Sequence, residues 1–294
     1  MMDLLQTIVS GALVGLVYGL VALSFVVVYR AARIVNLAQG QLIVFGAFLL
    51  WTIATVFGVP LWLAIPLAIL ASAAFGLVLE RVIFRPLVGQ PDFTIVVATI
   101  ALLVLLQGLA QLIWGAETRP YPGVLPTGSF RIGPFLLNRA LAIGAVFTVA
   151  LTELLNWFFM HTREGLRLAA VAEDHFTALS MGISVKRATT IAWVLGAALA
   201  CISAMILLSG RLISVSVAEI GFIALPVALL GGLESVRGAP LAGLIVGIGQ
   251  ALAAAYLDPI TNGAVSKIFP FLLMVAVLLI RPQGLFGWRV IERI

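Results

Sequence analysis

Glu153 is the acid that asks most insistently for a chemical role. It lies inside the apolar run Ala140–Met160, beside Asn156 and Trp157, where a charge costs about 2.5–3.5 kcal/mol on insertion scales. One reading makes it a site for a proton or a substrate ammonium. The other makes it a neutral or hydrogen-bonded acid near one end of its helix, since the sequence shows it no basic partner. Glu219, nearer the end of another apolar run, is the second acid that could serve ion-coupled transport. Hydrolytic chemistry lacks its parts. Both histidines lie in one polar loop, the single cysteine, Cys201, lies in an apolar run, and neither a metal set nor a nucleophile with its base can be assembled. The only lysines are Lys186 and Lys267, and no G-x-x-x-x-G-K-[ST] loop occurs, so the chain shows no phosphate-binding site of its own. Enzyme readings end there.

The uncharged polar residues are more informative. Asn36, Gln39, Gly40 and Gln41 stand at the mouth of one apolar run. Another carries Glu219, Gly221 and Pro226 before ending in Gly231-Gly232. Proline and glycine break or loosen a helix, and broken helices at membrane depth survive only where they are buried in protein or line a wet cavity. Both stretches are therefore candidates for a translocation path. Gln107 and Gln111, four residues apart, put two amides on one helix face; they should meet a partner helix or a pore rather than lipid.

The elements that must position these groups are membrane helices. Hydrophobic residues make up 63% of the 294 and charged residues 10%, far outside soluble composition. Apolar runs of about 20 residues recur, each long enough to cross the hydrocarbon as a helix, and the alternation of a barrel strand is absent. We expect an all-α polytopic membrane bundle of eight or nine spans, one or two of them broken, forming a single unit over residues 1–294. The runs are Leu4–Tyr29, Leu37–Phe57, Leu61–Glu80, Phe93–Trp114, Ala140–Met160, Ala188–Leu208, Ile213–Leu233, Ala239–Leu257 and Ala264–Ile280. The first is too long for a signal-peptide core and lacks a basic start, so it reads as a span. With the amino terminus outside, only Arg119, Arg131, Arg139, Arg211 and Lys267 of the 17 cations fall in outer connections. The rest, Arg289 and Arg293 included, lie inside, as the positive-inside rule requires. The net charge of +5 then reflects loop placement, not nucleic-acid binding.

Small residues indicate where helices touch. Gly11, Gly15 and Gly19 repeat every four positions, as do Gly243 and Gly247, a spacing that lets another backbone approach one helix face. Arg85-Pro86 after the third run and Arg281-Pro282 after the ninth suggest a parallel repeat relating runs one to three and seven to nine.

One polar stretch remains, 161–187. From Leu168 it reads LAAVAEDHFTALSMG, free of proline and rich in alanine and leucine, which predicts a helix over Leu168–Gly182. Leu168, Val171, His175 and Leu179 form an apolar-leaning face, with Glu173, Asp174 and Thr177 off it. Gly182 reads as a left-handed cap. A helix lying on lipid should be basic on its polar face; this one is acidic, which favours a protein partner over membrane lipid.

Taken in order, Gly15-Leu-Val-Tyr-Gly-Leu-Val-Ala-Leu23, Asn36-Leu-Ala-Gln-Gly40, Glu80-Arg81 with Arg85-Pro86-Leu87, Gly165-Leu-Arg167 through Ala178 to Gly182-Ile183, Gly231-Gly232-Leu233 with Gly238-Ala239, and Arg281-Pro-Gln-Gly-Leu-Phe-Gly287 resemble the LivH-like permease subunits of branched-chain amino acid ABC transporters. The resemblance covers nearly the whole chain. It implies an importer subunit of a bacterial inner membrane with its carboxyl terminus cytoplasmic. The implied partners are a second permease subunit, two cytoplasmic ATPase subunits that hold the ATP and Mg, and a periplasmic substrate-binding protein. It also implies that 168–182 is the coupling helix, with Arg167, Leu168, Val171, Glu173, Asp174, His175, Ala178, Leu179 and Gly182 facing or shaping the ATPase contact. The chain departs from the family where an acid is common at Gln41, a histidine at Gln39 and a glycine at Glu234. Urea and short amides therefore stand beside leucine, isoleucine and valine as substrates, and a self-sufficient secondary transporter using Glu153 and Glu219 is the alternative class.

Overall fold

The computed structural model describes residues 2–287. Arg289 and Arg293 lie outside the described residues, as do the side chains of Met2, Asp92, His175 and Phe176. The helices run α1 Met2–Ala32, α2 Gln39–Trp51, α3 Leu61–Leu79, α4 Asp92–Trp114, α5 Arg139–His161, α6 Arg163–Glu173, α7 His175–Ser180, α8 Val185–Leu208, α9 Glu219–Gly231, α10 Gly238–Tyr256, α11 Asp258–Thr261 and α12 Val265–Ile280. Seven stretches are long and apolar enough to cross a membrane, and two shorter apolar ones, Val215–Gly231 and Val265–Ile280, bring the candidate spans to nine. Each run read from the sequence falls on one of them. The protein is an all-helical membrane bundle.

α1 and α8 form its centre. They run antiparallel: a Cβ added at Gly196 would meet Val28, while one at Gly144 of α5 would meet both Val17 and Ile206. Around this pair the packing repeats in inverted form. α1 packs on α9 and α10 as α8 packs on α2 and α3; α2 touches α3 and α4 as α9 touches α10 and α12. The lengths agree, 13 residues each for α2 and α9 and 19 each for α3 and α10. The parallel repeat expected from the two Arg-Pro pairs is therefore wrong. It would equate the 31-residue α1 with the 13-residue α9, whereas the actual halves, α1–α4 and α8–α12, are related as inverted repeats are. An Arg-Pro pair only marks the end of a helix, which is why it misled.

The glycine stripes explain the closest approach. A Cβ at Gly15 would stand 2.2 Å from the carbonyl oxygen of Gly243, and one at Gly247 would stand 2.3 Å from the Cα of Gly15. The two stripes face each other, so α1 and α10 meet backbone to backbone. The short helices cross in the same way, with Gly40 against Ala218 and Gly221.

Both short helices start late. At about 1.5 Å per residue, 13 residues reach about 20 Å, short of the roughly 30 Å of hydrocarbon. α2 is prolonged by a π-helical turn, Thr52–Val56, and α9 is preceded by a 3₁₀ turn, Val215–Ala218. At the end of the bundle away from the 161–187 loop, the connection after α4 carries β1 Arg119–Pro120, β2 Ser129–Ile132 and β3 Phe135–Asn138. β2 and β3 form a hairpin, and β1 pairs with β4, Leu212–Ile213. We call this the hairpin end and the opposite one the loop end.

Candidate functional site

The loop end is where polar residues from distant parts of the chain converge. Thr162 starts α6 by accepting from the Gly165 N–H at 3.0 Å, and Gly165 lets α6 lie on Phe158 and Phe159 of α5. The single helix expected over 168–182 is broken. Asp174 leaves the helix and its Oδ1 accepts from the Thr177 N–H at 2.6 Å, starting α7; a carboxylate competing locally for the backbone outweighs the helix propensity summed over the stretch. The predicted face is corrected with it. Leu168, Val171 and Ala178 are buried against the bundle, whereas Leu179 is 56% exposed and Met181 77% exposed. The side chain of His175 lies outside the described residues. Gly182 has φ +76, the left-handed conformation expected of the cap. Arg167 and Arg187 share the carboxylate of Glu164, at 2.8 and 3.1 Å.

Arg33 ties this loop to the bundle. It follows α1 with φ +54, a left-handed conformation that costs a residue with a Cβ about 1–2 kcal/mol. Its Nε donates to the Ala172 carbonyl at 2.8 Å, one Nη to Glu173 at 3.3 Å and the other to Glu234. Burial works against the charge, but Tyr29 and Glu234 more than offset it, and the guanidinium is held above its ordinary range. Three residues beyond Glu234, Arg237 grips Glu153 of α5 through two hydrogen bonds, 2.9 and 2.6 Å. Glu153 thus has the basic partner that the sequence did not reveal, because the two residues are 84 positions apart. In the π-helical turn that follows α3, Glu80 is fully buried and held by Arg85 at 3.2 Å and by the Thr189 hydroxyl at 3.3 Å. This buried acid was missed, although Glu80 and Arg85 five residues apart were a usable signal.

The path candidates do not form one cluster. Asn36 and Gln39 are buried and engaged with one another, Asn36 Nδ2 donating to Gln39 Oε1 at 3.0 Å; Gln39 Nε2 also donates to the Gly196 carbonyl at 3.2 Å. Asn36 Oδ1 accepts from the Ala38 N–H just before α2 begins. Gln41 is buried beside them, and its Oε1 has no hydrogen-bond partner among the described residues. Pro226 is buried in α9, while Glu219, Gln107 and Gln111 are exposed on the outside of the bundle.

Residues 7–278 match the family described as the permease component of the branched-chain amino acid transport system. The chain belongs to this family. The BraD permease protein of the high-affinity branched-chain amino acid transport system of Pseudomonas aeruginosa is 31% identical, over 99% of this chain and 98% of its own. LivH of Escherichia coli is 29% identical over 99% and 97%, and a probable LivH of Methanocaldococcus jannaschii is 26% identical over 94% and 90%. The protein is a permease component of a branched-chain amino acid ABC transport system, a multi-pass membrane protein of a family without its own ATPase domain. A permease of this kind works with ATPase and binding-protein partners.

For the permease, the loop end divides its labour. Buried Leu168, Val171 and Ala178 seat α6 and α7 on the bundle, which leaves Leu166, Leu179 and Met181 as exposed apolar side chains. Ala178 is thus a seating residue in the chain alone.

Proposed function

We propose that this permease imports leucine, isoleucine and valine across a bacterial inner membrane, with its loop end and carboxyl terminus in the cytoplasm and its amino terminus outside. It pairs with a second permease subunit on two ATPase subunits, which hold the ATP and Mg, and receives substrate from a periplasmic binding protein at the hairpin end. The 161–187 loop is the coupling element, and α6–α7 docks in the ATPase groove through Leu179 and Met181, with Arg167, Glu173, Asp174 and His175 around them. The observation that carries this reading is the set of exposed apolar side chains, Leu166, Leu179 and Met181, on a loop that buries Leu168, Val171 and Ala178 against the bundle. An amphipathic helix in a partner's groove is held through such anchors.

Closure of the ATPases on ATP moves α6–α7 and rocks one inverted half against the other. It does so only if ATP favours one state over the other. The substrate path runs where α2 and α9 cross, with the Gln41 amide as the free polar group and Asn36, Gln39 and Pro226 shaping the backbone around it. Exposed Gln107 and Gln111 face the second permease subunit. Substituting Leu179→Asp and recovering the complex in mild detergent tests the docking claim. The expected result is loss of most of the ATPase at unchanged permease level; an unchanged amount of ATPase contradicts it.

A further inference from the structure

Polar contacts from the loop and from the turn after α9 meet in one side chain at the loop end. Arg33 donates to the Ala172 carbonyl in the last turn of α6 and pairs with Glu234 in the turn between α9 and α10. Its own backbone opens the short link to α2, where Asn36 and Gln39 lock the helix start to α8. Glu234 lies three residues after the end of α9. The guanidinium therefore joins the loop, at Ala172, to the turn after α9, at Glu234, while the backbone of the same residue begins the link to α2.

Two observations separate this from ordinary surface pairing. Glu234 is only 19% exposed, against 74% for Glu173, so Ala172 and Glu234 are the partners that constrain Arg33, and Glu173 adds little. The backbone at Arg33 is also left-handed. At the corresponding turn of the other half, after α8, that conformation falls to Gly210, φ +66, the residue that adopts it without cost. An arginine is held in a glycine's conformation at the loop end alone, where its side chain has three partners. A planar fork presents donors on separate Nε and Nη atoms to separate partners, whereas the three N–H donors of a lysine sit on one nitrogen.

We propose that Arg33 is a positioning residue that carries displacement of α6–α7 to α2 and α9 together, through Ala172 and Glu234. Arg237 and Glu153 extend the linkage from the same turn to α5. The inference rests on α6–α7 being the coupling element.

The test uses the complete transporter in proteoliposomes, reading labelled leucine moved per ATP hydrolysed and ATPase bound per permease. Arg33→Gly suits the backbone and removes the link. It should keep its ATPase and its basal hydrolysis while leucine per ATP falls about tenfold, the scale of coupling changes from single substitutions on such networks. Glu234→Gln should fall less, and the double variant no further than Arg33→Gly alone. Wild-type leucine per ATP in Arg33→Gly, or additive losses in the double variant, overturns the proposal. Should Arg33→Gly fail to assemble, Arg33→Lys decides, with wild-type coupling overturning it and a severalfold loss supporting it. If Leu179→Asp retains the ATPase while Arg33→Gly is uncoupled, the docking reading fails and the link stands.

Discussion

The turn after α1 and the turn after α8 occupy matching places in the two inverted halves, yet they are built from different chemistry. At the hairpin end Gly210 turns the chain, Ser209 exchanges hydrogen bonds with the backbone of Leu125 at 2.8 and 3.2 Å, and β1 pairs with β4. All of this fastens backbone at the hairpin end, between segments 84 or more residues apart in sequence. At the loop end Arg33 turns the chain in the same left-handed sense and spends its side chain on partners 139, 140 and 201 residues away. Backbone fastening resists motion, whereas one side chain shared among three segments makes them move together. The difference teaches that the repeat supplies a symmetric scaffold, and that asymmetry enters at the loop end.

The crossing of the halves should be the place where a substitution does most damage. Gly40→Leu forces a side chain into the Ala218 carbonyl, 2.4 Å from the Cβ position, and Gly221 has its own Cβ position 2.4 Å from the Cα of Gly40. Either substitution should abolish folded protein, seen as loss of a monodisperse peak in detergent chromatography. Next comes Arg85→Met, which strands the buried Glu80 carboxylate. Removing one partner of such a pair costs about 3–5 kcal/mol, read as a large drop in the thermal midpoint. The comparison itself is sharpened by exchanging the turn residues. Gly210→Arg takes on left-handed strain of about 1–2 kcal/mol and a clash with Thr127, 2.4 Å from the Cβ position, so it should lower stability. Arg33→Gly relieves that strain as it loses its partners, and should shift the midpoint little while uncoupling transport. The smallest effect on stability belongs to Leu179→Asp, a surface change within about 0.5 kcal/mol of wild type that removes the ATPase.

Much of the scaffold was legible in the residues. Nine apolar runs, the glycine stripes on α1 and α10 and the Gly182 cap all depend on local composition or on spacing of four, whereas Pro226, expected to interrupt its run, lies inside a continuous α9. What was not legible depended on competition or distance. Alanine and leucine around Asp174 promised one continuous helix, but its carboxylate takes the Thr177 N–H and splits it, although Asp is itself among the residues that favour a helix start. The partners of Glu153 and Arg33 lie 84 and up to 201 positions off, beyond any pattern in one sequence. The inverted repeat was hidden because helix packing carries it, while the sequence similarity that suggested a repeat sat at helix ends.

The account stands on the 161–187 loop being the cytoplasmic point at which the ATPase drives the bundle. Its most direct test places a cysteine at the exposed Met181 in the assembled transporter; the native Cys201 is buried. Cells are probed with a membrane-impermeant maleimide, and purified complex with a short bifunctional crosslinker. The account predicts no labelling of intact cells, labelling of inverted vesicles, and a crosslink to the ATPase subunit. Labelling at position 181 from outside intact cells would contradict it.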